Sequence, residues 1–122
     1  MARVALVVDD SMLIRHSVCR YLENRGFAVE SATNGAEALE ILNTVLPDII
    51  VTDLNMPKMD GREFISRLKA KNQTQGIPIV VLAGRNTASD PQENESRANF
   101  VVFKDVEMEL QLQRALAAAL GD

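Results

Sequence analysis

The chain has 122 residues, with thirteen basic and seventeen acidic side chains and a net charge of −4. That length makes one domain of ordinary size with a sizeable core, and 47% apolar residues exclude both a disordered and a membrane-embedded chain. The acidic balance argues against nonspecific nucleic-acid binding, and the single cysteine, Cys19, allows no internal disulfide.

In chain order, Val4–Val8 is a continuous apolar run, as expected of a parallel strand buried on both faces. Ser11 is placed to cap a helix with Ile14, Val18 and Leu22 on one face, ended by Gly26. Phe27–Ala32 reads as a second, weaker strand. Asn34 caps a helix carrying Leu39, Leu42 and Leu46, which Pro47 stops. Ile49–Thr52 is the third strand, followed by the loop Asp53–Gly61 and a helix with Phe64, Ile65 and Leu68 that runs to about Lys71. Gly76 and Pro78 lead to strand Ile79–Leu82. The segment from Gly84 to Asn99 is polar and has few apolar anchors, so a helix there is expected to be short, displaced or mobile. Strand Phe100–Phe103 follows. Asp105 is placed to cap a last helix with the stripe Met108, Leu112, Leu116 and Leu120, and Glu107 and Glu109 suit its first turn. Five such βα units imply an α/β fold, an open parallel sheet with helices on both faces and a single domain over residues 1–122. No apolar stretch approaches the roughly 18 residues needed to span a bilayer. The opening Met-Ala-Arg-Val lacks the pattern of a secretion signal. A cytoplasmic protein with no membrane contact is expected.

The chemistry gathers at strand ends. Asp9 and Asp10 close the first strand, Asp53 the third, and Lys104 the fifth. Residues so placed meet in the crevice outside the carboxyl ends of a parallel sheet. Carboxylates that close together raise one another's pKa unless a cation neutralises them. A hard divalent ion with oxygen ligands fits that need, and Lys104 adds a second positive charge. These residues suit a site for a metal and a phosphoryl group.

With these residues the chain resembles the receiver domain of bacterial two-component response regulators, from about residue 3 to residue 120. The motifs are Val-Val-Asp9-Asp10-Ser, Asp53-Leu-Asn-Met-Pro-Lys-Met-Asp-Gly61 and Phe103-Lys104, with Asp53 43 residues after Asp10 and 51 before Lys104. The resemblance implies a flavodoxin-like three-layer fold with strand order 2-1-3-4-5. It makes Asp53 the residue phosphorylated from a sensor histidine kinase or a histidine phosphotransfer protein. Asp9, Asp10 and Asp53, with the main-chain carbonyl of Asn55, would hold Mg²⁺, and Lys104 would contact the phosphoryl group. Pro57 would stiffen the loop near Asn55, and Gly61 would serve as a turn residue at the entry to the third helix.

The chain also departs from that pattern. Ala83, thirty residues after Asp53, stands where receivers carry Ser or Thr, and Gly84 follows it. Val101, three residues before Lys104, stands where they carry Tyr or Phe. Alternation places Phe100 and Val102 on the face opposite Val101 and Phe103. Asp105 stands where the family has proline. Thr87 and Ser89 are the candidate substitutes for the missing hydroxyl. His16 lies off its helix's apolar stripe, Cys19 reads as a small packing residue, and Arg62, Arg67, Lys69 and Lys71 read as a solvated face. Two other functions stay open: a receiver that binds an output protein without phosphorylation, and a Mg²⁺-dependent phosphohydrolase. Against the second, Asn55 occupies the position where such enzymes use a further acid. No separate turnover of a substrate is expected.

Overall fold

The computed structural model describes residues 3–84, 99–104 and 107–121. The elements are β1 (Val4–Val8), α1 (Met12–Asn24), β2 (Ala28–Ala32), α2 (Gly35–Ile41), β3 (Ile49–Asp53), α3 (Gly61–Ala70), β4 (Ile79–Ala83), β5 (Phe100–Phe103) and α4 (Met108–Leu120). The five strands form one sheet in the order β2-β1-β3-β4-β5, every pair parallel. This is the expected flavodoxin-like arrangement.

Alternation along the strands separates two apolar cores. Ala5, Val7, Ile49, Val51, Val80, Leu82 and Val102 point to the side covered by Val18 and Leu22 of α1 and by Leu112 and Leu116 of α4. Leu6, Val8, Ile50, Ile79 and Val81 point to the other side, under Ala38 of α2 and Phe64, Ile65 and Leu68 of α3. The continuous apolar runs of β1, β3 and β4 are thus explained by burial from both sides. β2, at one edge, is mostly exposed, which is why its sequence signal is weaker. Phe100 packs with Val102 against the α1/α4 core, as alternation requires.

The caps read from the sequence at Ser11 and Asn34 form, and Asp60, not singled out there, caps α3. Ser11 Oγ accepts from the Ile14 N–H, Asn34 Oδ1 from Glu37 and Asp60 Oδ1 from Glu63. Two expectations are corrected. The helix begun at Asn34 ends at Ile41, so Leu46 lies beyond it and is 56% exposed. Pro47 disfavours helical geometry in the residue before it, and the chain leaves through turns bonded to the Ile41 carbonyl. At α4 the N-cap position belongs to Glu107, and Met108 is the first helical residue. Asp105, Thr87, Ser89 and most of the polar stretch between Gly84 and Asn99 lie outside the described residues. Among the described residues no helix is long and apolar enough to cross a membrane.

Candidate functional site

The sheet order reverses between β1 and β3, because the chain goes outward from β1 to β2 and then returns to β1's other side. The crevice at such a switch point, outside the strands' carboxyl ends, is where open α/β sheets place ligands. The pairing Val8↔Thr52 sets the last residue of β1 level with the next-to-last of β3, and Asp9 and Asp53 follow side by side. Carboxylate oxygens of Asp9, Asp10 and Asp53 lie within 4.8 Å of one another. Lys104 arrives from beyond β5, its Nζ 3.0 Å from Asp53 Oδ2 and 3.3 Å from Asp9 Oδ2. All four strand-end residues singled out in the sequence are therefore brought together.

Their environments differ. Asp9 is wholly buried and Asp53 is 4% exposed, while Asp10 is exposed. Asp53 Oδ1 accepts from the N–H groups of Leu54 at 2.7 Å and Asn55 at 3.4 Å, which leaves Oδ2 turned to the lysine. Asp9 Oδ1 accepts from the Ser11 N–H at 2.8 Å. Its Oδ2 has the Lys104 ammonium nearby but no hydrogen bond of good geometry. Burial pushes the Asp9 carboxyl above the usual carboxylate range, and the neighbouring Asp53 charge adds to this; the Ser11 amide and Lys104 oppose it without cancelling it. Three carboxylates against one ammonium leave the cluster two charges negative. A buried, unbonded carboxylate oxygen in an all-oxygen cluster with that charge fits a hard divalent cation.

The backbone around the acids is held by residues that do not stand out by spacing alone. Arg15 Nη1 donates to the Asp9 carbonyl at 2.8 Å, tying the first turns of α1 to the end of β1. A sign of this was present in the sequence: a cation near a helix N-terminus opposes the helix dipole and calls for another partner. Gly61 is needed for close approach and not for its turn. A Cβ there would lie 2.3 Å from the Asp53 carbonyl oxygen, and the Gly61 N–H donates to Leu54 at 2.8 Å. The loop's left-handed residue is Lys58, with φ of 66°. Asn55 is exposed on the same loop. Ala83 ends β4, half-buried, and its carbonyl accepts from the Lys104 N–H at 2.9 Å. Val101 is half-buried on the edge strand. His16 is exposed, Cys19 is partly buried against the α1/α4 core, and Arg67 pairs with Glu63 on the solvent face of α3.

The family model of the response regulator receiver domain matches residues 5–116. The chain belongs to that family. Response regulator MprA of Mycobacterium sp. (strain KMS) is 39% identical over 85 residues, which are 70% of this chain and 36% of that protein. The receiver thus spans little more than a third of the length of that curated relative. Among solved structures, chemotaxis response regulator CheY4 of Vibrio cholerae superposes with a TM-score of 0.84 at 34% identity, covering 95% of this chain and 100% of that one. The signal receiver domain of a signal transduction histidine kinase from Syntrophus aciditrophicus gives 0.86 at 29% identity, over 98% and 91%. The receiver fold and family expected from the motifs are both found, and a phosphohydrolase is not favoured.

Proposed function

We propose that residues 1–122 form one receiver domain that accepts a phosphoryl group on Asp53 from a sensor histidine kinase or a histidine phosphotransfer protein. Mg²⁺ would be held by the carboxylates of Asp9, Asp10 and Asp53 and by the main-chain carbonyl of Asn55. The observation that carries this assignment is the placing of Asp53 Oδ2, 3.0 Å from an ammonium and inside a three-carboxylate cluster at the sheet's switch point. A carboxylate is a poor nucleophile toward phosphorus ringed by negative oxygens. A bound divalent cation reduces that repulsion and aligns the attacking and leaving groups.

The chain's own groups supply the rest. The Leu54 and Asn55 amides fix one oxygen of Asp53, so the other is presented in a single direction. That oxygen attacks phosphorus, the bond from phosphorus to the donor's imidazole nitrogen breaks, and the electron pair returns to that nitrogen. Lys104 offers a point charge to the phosphoryl oxygens as they arrive. The domain catalyses only its own phosphorylation and dephosphorylation, acts in the cytoplasm, and passes the signal to an output protein or domain without itself touching nucleic acid or membrane. With Ala83 and Val101 at the two switch positions, the hydroxyl and aromatic links are missing, so output runs by an altered route.

Incubation with acetyl phosphate and Mg²⁺, followed by intact mass, tests the assignment. One phosphoryl group that is lost at alkaline pH and absent from Asp53→Asn is the expected result. Equal labelling of Asp53→Asn, or no labelling of the native chain at saturating donor, would overturn it. Retained partner binding by an unlabelled chain would instead favour the phosphorylation-independent binder.

A further inference from the structure

The strand that delivers Lys104 is an edge strand. Among the described residues β5 pairs with β4 alone, so every second N–H and C=O along it faces away from the sheet. At its end those outward groups belong to Phe103, and a side chain of α4 takes both. The Phe103 N–H donates to Gln111 Oε1 at 2.9 Å, and Gln111 Nε2 donates to the Phe103 carbonyl at 3.2 Å. One primary amide thus fills the place of a missing sixth strand, at the last residue before the lysine.

The Phe103 carbonyl and the Lys104 N–H are the two ends of a single peptide group. Gln111 holds its oxygen from the helix side, while the Ala83 carbonyl holds its N–H from β4 at 2.9 Å. That plane is therefore fixed from both directions, and it sets the direction in which the Lys104 side chain leaves the backbone. A lysine carries four flexible carbons, so a small rotation of its backbone becomes a large displacement of Nζ. We propose that Gln111 is a positioning residue for Lys104, fixing the peptide from which the ammonium reaches Asp9 and Asp53. This rests on the assignment of Lys104 as the phosphoryl contact. It also supplies a physical route from the site into α4 that does not need a hydroxyl at Ala83 or an aromatic ring at Val101.

Gln111→Met keeps the length of the side chain and removes both hydrogen bonds, and Gln111→Glu keeps an acceptor for the Phe103 N–H only. Phosphorylation by acetyl phosphate at saturating Mg²⁺ is measured for these variants in the native and Lys104→Ala backgrounds, with Phe103 amide exchange and the Lys104 ¹⁵Nζ shift read by NMR. In Gln111→Met, Phe103 should exchange about fivefold faster, the size of one net hydrogen bond, and Mg²⁺ affinity should not change. Phosphorylation should slow about threefold or more in the native background and not at all in Lys104→Ala, because groups acting through one another are not additive. Gln111→Glu should fall between the two. Equal slowing in both backgrounds, or an unmoved Lys104 shift, would overturn the proposal. If Lys104→Ala itself phosphorylates normally, the phosphoryl role of the lysine fails, and the Lys104 shift alone decides whether Gln111 places it.

Discussion

Asp9 and Lys104 form an unequal pair: a wholly buried carboxylate faces an ammonium whose side chain is 20% exposed. Lys104→Ala should leave Mg²⁺ binding intact while slowing phosphorylation, because the lysine offers charge to phosphoryl oxygens and no lone pair to a metal. Titration calorimetry and donor labelling read the two effects separately; a variant that loses the cation and labels normally would show the lysine to be misplaced. Without cation the same variant should lose about 1–3 kcal/mol of stability, discounted from the fully buried case because the lysine side chain is partly exposed. The raised pKa of Asp9 makes stability depend on pH. The folded state holds this proton more tightly than the unfolded chain does. Stability from this group is therefore lost as pH rises through the interval between the ordinary and the raised value. Cation binding needs the ionised form, so affinity should weaken as pH falls into that interval. Calorimetry in two buffers of different ionisation enthalpy should show proton release there and none well above it.

At the scale of elements, α3 is seated by contact between backbones. Gly61→Ala would drive a methyl against the Asp53 carbonyl and the Leu54 Cα, neither of which can swing aside. It should cost about 3 kcal/mol or more, the upper end for overpacking. Gly76→Ala, whose Cβ would meet nothing within 4 Å, should stay within about 0.5 kcal/mol. Urea unfolding of the two variants makes the comparison, and equal stabilities would refute the close approach. The same contact shows what could be read before the fold was known. β1, β3 and β4 were legible as unbroken apolar runs, and Ser11, Asn34 and Gly61 could be placed from local chemistry. The reason for Gly61 could not, because its contact joins residues eight apart through main-chain atoms. Leu46 misled because it continues the 3.6-residue stripe of Leu39 and Leu42, and only the following proline takes it out of the helix. The meeting of Asp9, Asp53 and Lys104 follows from strand order, which no local pattern contains and which the motifs supplied by resemblance. Arg15 could have been noticed as a cation at the wrong end of a helix.

Across the whole molecule, the cluster exists only when β1, β3 and β5 are assembled, so a cation bound there binds the folded state and not the unfolded one. Free Mg²⁺ at about ten times its dissociation constant should add about 1.4 kcal/mol, or roughly 4–6 °C in Tm for a domain of this size. Calorimetric melting in chelator and in Mg²⁺ measures it. Asp9→Asn keeps an acceptor for the Ser11 N–H and removes a buried negative charge. It should melt above the native chain in chelator and show little response to Mg²⁺; a lower melting point in chelator would show that the Lys104 pairing outweighs the burial of the acid.

That buried, half-satisfied aspartate has a consequence for the chain's history. Any selection that rewards folding alone, in a medium stripped of divalent ions, would favour a neutral residue at position 9 first. A randomised library sorted for protease resistance in chelator should return Asn there. The same library sorted in millimolar Mg²⁺ should keep Asp more often. The difference between those two harvests would measure how far the acid is held in place by its ligand and how far by the fold.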